Sequence, residues 1–204
     1  FVKGIFKQDF YDRLYETFPK SEDFSLNNDY RRSAKTRIFH EEDPSGPQLD
    51  SSLSLEWNLL NKYMFTSEFM NNFSKFTGVK LSRIIRGGFF ANGKGDFQLP
   101  HIDEDGEFKN KIQLMFYFSK GWQKGDPGGT YVASEEDESK IIFETLNLDN
   151  TITMLQDSPL SAHGARYITK DVERRAVQVY LEGYSEKTGW SGSGFEEHEG
   201  NIEI

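Results

Sequence analysis

Short β-like runs separated by turn-forming residues fill the chain after Gly78, and this pattern limits the fold more than any other feature. Runs of this length and spacing are typical of an all-β sandwich or jelly roll. They lie at about residues 81–91, 97–103, 111–118, 129–133, 140–144, 151–155, 163–169 and 174–181. We therefore expect a mainly β protein whose core is a double-stranded β-helix (jelly roll) over residues 81–184.

The residues before Gly78 show helical periodicity, and three helices are expected there. The first covers residues 8–18, where apolar side chains recur every four residues. The third should begin near Ser67, its expected N-cap, and end at Gly78 as a C-cap glycine. The second helix should bury one apolar face, made of Leu55, Leu59, Leu60, Tyr63 and Met64.

The chain of 204 residues contains no internal repeat and no low-complexity linker, so a single domain over residues 1–204 is expected. Residues 1–80 would form a helical support region, residues 81–184 the jelly-roll core and residues 185–204 a C-terminal tail. No apolar run is long enough to cross a bilayer, so we expect no membrane association. The lack of cysteine fits a cytoplasmic protein, which we expect here. The oligomeric state is not predicted by any feature of the sequence.

The charge balance argues against a general nucleic-acid binder. The formal net charge is −9 at pH 7, whereas proteins that bind nucleic acid present a basic surface. One basic stretch is a local exception to the acidic charge, and we interpret it as solvated surface. It consists of Arg31, Arg32, Lys35 and Arg37. The chain has no cysteine, which excludes disulfides and thiolate chemistry.

A His-x-Asp tripeptide and a later histidine form a candidate metal site. Because residues i and i+2 of a strand point to the same side, His101 and Asp103 should project into one cavity. His163 begins a later strand, which could meet the first pair from an antiparallel neighbour. Two imidazoles and one carboxylate are the ligands that leave half of an iron(II) coordination sphere open. The other two histidines lie in polar stretches and are assigned to the surface: His40 and His198.

Arg174 belongs to the last predicted strand, and strand alternation places it on the face opposite Arg175. A charged side chain on an inward face needs an anionic partner, because an unpaired buried charge is costly. A bound dicarboxylate would supply that partner, and so would an ordinary salt bridge to Asp or Glu. Tyr117 lies on the more polar face of its own strand, where its phenol could add a second hydrogen bond to the same carboxylate.

Four segments of the second half carry a family resemblance. They read "LPHIDEDGEFKNKIQLMFYFSKGWQKGDPGGTYV", "NLDNTITML", "SAHGARYI" and "ERRAVQVYL". Over about residues 81–184 the sequence resembles the Fe(II)/2-oxoglutarate dioxygenases, and most of all their prolyl-4-hydroxylase-like branch. The elements of the family pattern fall, in order, on His101, Asp103, Tyr117, Ser119, Trp122, Gly128, Gly129, His163 and Arg174.

The resemblance implies a role for each residue. His101, Asp103 and His163 would hold Fe(II), and Arg174 with Tyr117 would bind the distal carboxylate of 2-oxoglutarate. O2 would be the second co-substrate. The implied reaction converts 2-oxoglutarate to succinate and CO2 while it hydroxylates an unactivated C–H bond of a peptidyl (prolyl-like) or small-metabolite substrate.

One segment departs from the family pattern, and two other functions remain open. Many relatives carry a tyrosine about ten residues before the His-x-Asp, where residues 89–92 of this chain read FFAN. A cupin-like jelly-roll metal protein, such as an isomerase, would not require Arg174 or Tyr117. A non-catalytic binding module with a degenerate site is the other alternative. A nucleic-acid demethylase of the same superfamily is disfavoured by the acidic charge. The substrate stays open among peptidyl proline, free amino acids, sugars and other metabolites.

Overall fold

The computed structural model describes residues 1–41, 49–81, 83–103, 111–156 and 161–182. These residues form three α-helices that pack on one side of a curled antiparallel sheet of eleven strands. The expected mainly β, jelly-roll architecture with a helical layer is confirmed. Within the described ranges, no helix has the length and apolar character needed to cross a membrane.

The helices are α1 (Gln8–Glu16), α2 (Leu55–Met64) and α3 (Ser67–Thr77), and a side-chain cap begins each of the last two. Gly78 ends α3 in the left-handed region with a φ of 74°, and its amide donates to the carbonyl of Ser74 at 2.8 Å. The predicted C-cap is therefore confirmed. The predicted N-cap is one residue late, because the hydroxyl of Thr66, and not that of Ser67, accepts the amide of Phe69 at 3.2 Å.

The prediction for α2 is wrong because the buried face is rotated about the helix axis relative to the predicted apolar face. Leu55, Leu59 and Tyr63 are 69%, 52% and 38% exposed. The indole of Trp57 is fully buried and donates to the carbonyl of Leu14 at 3.0 Å, which turns the helix toward this large side chain. The buried face of α2 is made of Trp57, Leu60, Asn61 and Met64.

The strands are joined in one continuous antiparallel sheet. The spatial order is β1-β9-β6-β11-β4-β3-β5-β10-β7-β8, and β2 pairs with β3 outside this path. The bounds are β1 (Val2–Lys3), β2 (Ser25–Asn28), β3 (Arg32–Glu41), β4 (Arg83–Asn92), β5 (Phe97–His101), β6 (Lys111–Gln123), β7 (Thr130–Ala133), β8 (Ile141–Glu144), β9 (Asn147–Gln156), β10 (Ala162–Ala165) and β11 (Arg174–Glu182). Each predicted run from 81 onward overlaps one of these strands.

The region expected to form the helical support also supplies strands. β1, β2 and β3 all precede residue 80, and β3 pairs with both β4 and β5. β3 therefore connects a larger group of strands (β1, β9, β6, β11, β4) to a smaller one (β5, β10, β7, β8). The basic stretch read as solvated surface lies in and just before β3, where the guanidinium of Arg37 pairs with Asp50 at 2.6 Å.

Two further predictions need correction. The strand expected over 163–169 ends at Ala165, because the backbone amides of Arg166 and Ile168 bond to loop carbonyls instead of continuing the ladder. His40 is not a surface residue: its side chain is only 6% exposed and its ring packs edge-on against Phe65 at 4.5 Å. His198 and the predicted tail over 185–204 lie outside the described residues.

An aromatic core joins the helices to the outer face of the larger strand group. Trp57 contacts Phe89 and Phe118, each at 5.0 Å between ring centroids, and Phe18 packs on Trp57 at 5.5 Å. Strand alternation then separates two faces of β6 and β11. The outer face contributes Ile112, Leu114, Phe116, Phe118, Val177, Val179 and Leu181 to this core. The opposite, inner face carries Gln113, Tyr117, Arg174, Gln178 and Tyr180, and this face positions the candidate site.

Candidate metal centre and anion site

His101, Asp103 and His163 come together at the inner edge of the sheet. His163 lies opposite His101 in the pairing of β10 with β5, and Asp103 follows two residues after the end of β5. One ligand atom from each residue lies within 4.8 Å of the others. The Nε2 atoms of His101 and His163 are 3.3 and 3.6 Å from the two carboxylate oxygens of Asp103.

Backbone carbonyls orient both imidazoles. The Nδ1 atom of His101 lies 2.9 Å from the carbonyl of Leu99, and that of His163 lies 3.2 Å from the carbonyl of Ser161. A carbonyl can only accept, so each Nδ1 carries a proton, and Nε2 is the atom through which each ring would bind a metal. This arrangement of outer hydrogen bonds is typical of histidines that bind metals.

Tyr180 holds the carboxylate of the cluster in place. Its hydroxyl donates to Oδ2 of Asp103 at 2.8 Å, and the amide of Gln113 approaches the same hydroxyl at 3.4 Å. A carboxylate that is fixed through one oxygen presents its other oxygen in a defined direction. Strand alternation places Tyr180 on the same face of β11 as Arg174, but no pattern in the sequence indicates its contact with Asp103.

The electrostatics of the cluster favour a bound cation. Burial alone would raise the pKa of the Asp103 carboxyl, but hydrogen bonds and charges from His101 and His163 outweigh burial and lower this pKa far below its usual range. Burial opposes charging of His101, yet its contacts with Asp103 and the Leu99 carbonyl leave its pKa raised. Three ligands that together attract a proton also attract the divalent ion that would replace it.

The donor set fits a first-row divalent metal. Two imidazole nitrogens and one carboxylate on one side of an ion leave the remaining positions open, which is the geometry associated with non-haem Fe(II). The side chains of His101, Asp103 and His163 are 15%, 18% and 7% exposed, so the cluster is recessed but reachable. Among the described residues, these three are the group that could hold a metal ion.

Arg174 is a buried cation on the same inner face. Its side chain is 3% exposed, and its Nη2 donates to Oγ1 of Thr130 at 2.7 Å. Its Nε has no hydrogen-bond partner, and no carboxylate among the described residues forms an ion pair with it. Burial lowers the pKa of this guanidinium, but an arginine stays charged in proteins. An unpaired buried charge is costly, so this arrangement favours an anionic ligand.

Tyr117 lies against the guanidinium, as predicted. The ring centre is 5.5 Å from Cζ of Arg174, and the phenol is fully buried. Burial raises the pKa of Tyr117, so the hydroxyl stays protonated, and it donates to Oγ1 of Thr130 at 2.8 Å. Thr130 therefore connects Tyr117 and Arg174. Thr130 was not predicted as a site residue, although its place directly after Gly129 in the family-like segment was a usable signal.

The glycine pair before Thr130 is explained by packing. Gly128 has a φ of 91°, and a Cβ there would lie 3.0 Å from Ile168 and 3.4 Å from Cδ of Arg174. At Gly129 a Cβ would lie 3.2 Å from the ring of Trp122. Side chains at these positions would therefore displace the groups that support the buried cation.

Comparison with known proteins gives a fold but no close relative. No protein-family model matches the sequence, and no curated protein matches it. The structure is similar to that of a Pseudomonas putida prolyl-4-hydroxylase, with 12% identity, a TM-score of 0.62, and coverage of 90% of this chain and 91% of that one. A 2OG-Fe(II) oxygenase family oxidoreductase from Burkholderia pseudomallei gives 15% identity and a TM-score of 0.60, covering 84% and 76%.

A third structure was solved with a peptide. The prolyl hydroxylase of Trichoplax adhaerens, in complex with a hypoxia inducible factor oxygen degradation domain fragment, gives 11% identity and a TM-score of 0.60, covering 97% of this chain and 86% of that one. Similarities at such low identity show a shared fold. The chain therefore has the jelly-roll fold of prolyl-4-hydroxylases and 2-oxoglutarate/Fe(II) oxygenases, in agreement with the resemblance of the sequence.

Proposed function

We propose that the protein is an Fe(II)- and 2-oxoglutarate-dependent dioxygenase that hydroxylates an unactivated C–H bond and releases succinate and CO2. The observation that carries this proposal is the pairing of two features on one inner face. One is a His-Asp-His cluster suited to Fe(II), and the other is the buried Arg174, which lacks a carboxylate partner among the described residues. A fold shared with oxygenases of this class supports the same conclusion.

The metal would be held by His101, Asp103 and His163. When bound, Fe(II) supplies the redox chemistry that couples oxidation of 2-oxoglutarate by O2 to oxidation of the substrate. The two Nε2 atoms already face the cluster, and the bond from Tyr180 keeps Asp103 oriented. Because the protein fixes these ligands before binding, little reorganisation is needed when the ion enters.

The distal carboxylate of 2-oxoglutarate would bind at Arg174. The free Nε and the remaining guanidinium hydrogens would donate to it, and Tyr117 and Thr130 would add hydroxyl contacts. Desolvation strengthens this charge pairing, since water no longer competes for the guanidinium. A cupin-like metal protein that does not use 2-oxoglutarate has no need for such a cation.

The substrate would be a peptidyl (prolyl-like) group or a small metabolite. Support for a peptide comes from the Trichoplax adhaerens structure, which holds a peptide fragment. The cluster is recessed below the surface, so the reacting carbon must enter the jelly roll whichever class of substrate it belongs to.

Succinate release tests the proposal directly. Protein incubated with Fe(II), 2-oxoglutarate and O2 should form succinate slowly even without a substrate. Asp103→Ala should remove this activity, because one of three metal ligands is lost. Asp9→Asn is a suitable control, since this carboxylate lies on the exposed surface of α1 and pairs only with Arg13 among the described residues. If the wild type formed no succinate, or if Asp103→Ala equalled the control, the proposed function would be wrong.

A further inference from the structure

A cavity of about 140 Å³ opens on the inner face beside the candidate metal centre. Side chains from β2, β3, β4, β5 and β11 line it. None of the groups assigned to the 2-oxoglutarate carboxylate, which are Arg174, Tyr117 and Thr130, belongs to this lining. The cavity is thus a separate space from the one that Arg174 serves.

Two residues that line the cavity contact the metal ligands. Tyr180 lines it and donates to Asp103 at 2.8 Å, and Gln98 lines it with its amide nitrogen 3.1 Å from Nε2 of His101. A substrate anchored by one end in the cavity could therefore extend past these two side chains to the ion, where its reacting carbon must be placed.

The lining of the cavity is cationic in an otherwise acidic protein. It includes Arg32 and Arg86 but no carboxylate, while the whole chain has a formal net charge of −9. Arg32 forms an ion pair with Asp29, with Nε 3.3 Å from Oδ2, and both side chains are about half exposed. Arg86 forms no ion pair with any residue in the described part of the chain. The cavity therefore offers a cation, mainly from Arg86, to an anionic group.

The two arginine sites are too far apart to bind one small anion. In the pairing of β4 with β11, Arg174 lies opposite Asn92 and Tyr180 lies opposite Arg86. The two positions are six residues apart on each strand, which corresponds to about 20 Å between Cα atoms. The metal cluster lies between the two arginines: Tyr180 contacts Asp103, and His163 is two positions along β10 from Ala165, the partner of Thr130 beside Arg174. A five-carbon diacid bound at Arg174 thus leaves Arg86 without an anion.

We propose that this cavity binds a carboxylate of the primary substrate, with Arg86 as the principal cation and Arg32 beside it. The inference rests on the proposed function and names the substrate class: a small carboxylic acid such as a free amino acid, or the C-terminal carboxylate of a peptide. Gln98 and Gln178 line the same space and offer amide groups to the polar atoms next to that carboxylate. The cavity is smaller than the roughly 300–1,000 Å³ of drug-sized sites, so it holds a group of amino-acid size.

Matched acids and amides provide the test. The probes are the free L-amino acids, glycyl dipeptides, and the C-terminal amide of each. Binding is measured by thermal-shift titration of protein loaded with 2-oxoglutarate and Mn(II), which replaces Fe(II) without turnover. At least one acid should bind about tenfold or more tightly than its amide, as expected for a charge-assisted hydrogen bond. Preference for free amino acids or for dipeptides identifies the source of the carboxylate.

Two variants connect the preference to the cavity. Arg86→Gln should remove most of the acid-over-amide preference, and Arg32→Gln should reduce it by a smaller factor because Asp29 already shares that charge. Arg83→Gln is the matched control: it removes the same charge from the same strand, but Arg83 pairs with Glu182 and does not line the cavity.

Other results would overturn the inference. These are equal binding of acids and amides, no binding by any acid, or an unchanged preference in Arg86→Gln. Succinate release by the wild type without substrate is measured in parallel. If that release occurs and the acid preference is absent, the substrate class is wrong while the proposed oxygenase function stands.

Discussion

The two faces of the larger strand group differ in what their buried residues accomplish. On the outer face, alternate residues of β6 and β11 are apolar and pack into the aromatic core beneath the helices. On the inner face, buried polar atoms lack partners among the described residues: Nε of Arg174, Oε1 of Gln113 and Oγ1 of Thr153. Unsatisfied buried groups are costly. Packing on the outer face therefore stabilises the fold and offsets the cost of the unpaired polar groups on the inner face, which can bind ligands.

This comparison predicts that substitutions on the two faces have separate consequences. Changes on the outer face should lower the free energy of unfolding and leave the affinity for metal and co-substrate nearly unchanged. Changes on the inner face should weaken the binding of metal or co-substrate and leave the free energy of unfolding nearly unchanged.

His101→Ala and His163→Ala should each abolish activity and weaken iron binding by more than about 100-fold, since even residues that only orient ligands contribute 10–100-fold. Each imidazole supplies one of three protein ligands. Iron titration monitored together with succinate formation checks this. The melting temperature of the metal-free protein should change little, and a variant with normal iron binding and turnover would remove that histidine from the metal site.

Trp57→Ala should destabilise the protein by about 3–5 kcal/mol, the usual cost of removing a large aromatic side chain from a core. The indole is fully buried between Phe18, Phe89 and Phe118. Chemical denaturation measures the loss of stability. The affinity of the folded variant for 2-oxoglutarate should match the wild type, and a large change there would mean that the two faces are coupled.

Arg174→Leu should raise the 2-oxoglutarate concentration needed for activity by a factor that corresponds to about 2–5 kcal/mol, because a buried charge pair is lost. Iron binding should be nearly unchanged. The metal-free variant should be as stable as the wild type or more so, because an unpaired buried charge is removed. Apparent KM values and thermal unfolding give the two readouts.

Arg175→Leu is the control for this variant. The Arg175 guanidinium stacks on Tyr15 and Phe18 at 5.0 and 5.3 Å, on the helix side of β11. Arg175→Leu should lower the free energy of unfolding and leave the KM for 2-oxoglutarate unchanged. An exchange of phenotypes between Arg174→Leu and Arg175→Leu would contradict the assignment of faces.

Tyr117→Phe should weaken 2-oxoglutarate binding by about 0.5–1.5 kcal/mol, because only a hydroxyl is lost and the ring stays in place. The effect should shrink in the Arg174→Leu background, since Thr130 connects the two residues and groups that hold one ligand are not additive. A double-mutant cycle measures this coupling. Strict additivity would place the Tyr117 hydroxyl away from the carboxylate.

Local periodicity was enough to predict much of the fold. The strands of the second half, the C-cap at Gly78 and the two faces of β11 were all predicted, because each depends on neighbours in sequence. β3 was not predicted, since its polar sequence from Arg32 to Glu41 reads as a charged surface stretch. The rotation of α2 was missed for a related reason: packing of Trp57, not the count of leucines, decides which face is buried.

The candidate site was likewise predicted only in part from the sequence. The cluster of His101, Asp103 and His163 and the nearness of Tyr117 to Arg174 were anticipated from strand alternation and the family resemblance. Two contacts were not anticipated: that of Thr130 with Arg174 and that of Tyr180 with Asp103. Each depends on the register between segments far apart in sequence, and a shift of one residue would turn those side chains to the other face.

The proposed function requires that one molecule of 2-oxoglutarate joins the metal cluster to Arg174. Its most direct test compares 2-oxoglutarate with 2-oxopentanoate, which has the same chain length but no distal carboxylate. Each acid is titrated under argon into Fe(II)-loaded wild type and Arg174→Leu, and the visible charge-transfer band is followed. The wild type should prefer 2-oxoglutarate by about 30-fold or more, and Arg174→Leu should lose that preference. A wild type that binds both acids equally, or an Arg174→Leu variant that keeps the full preference, would contradict the claim.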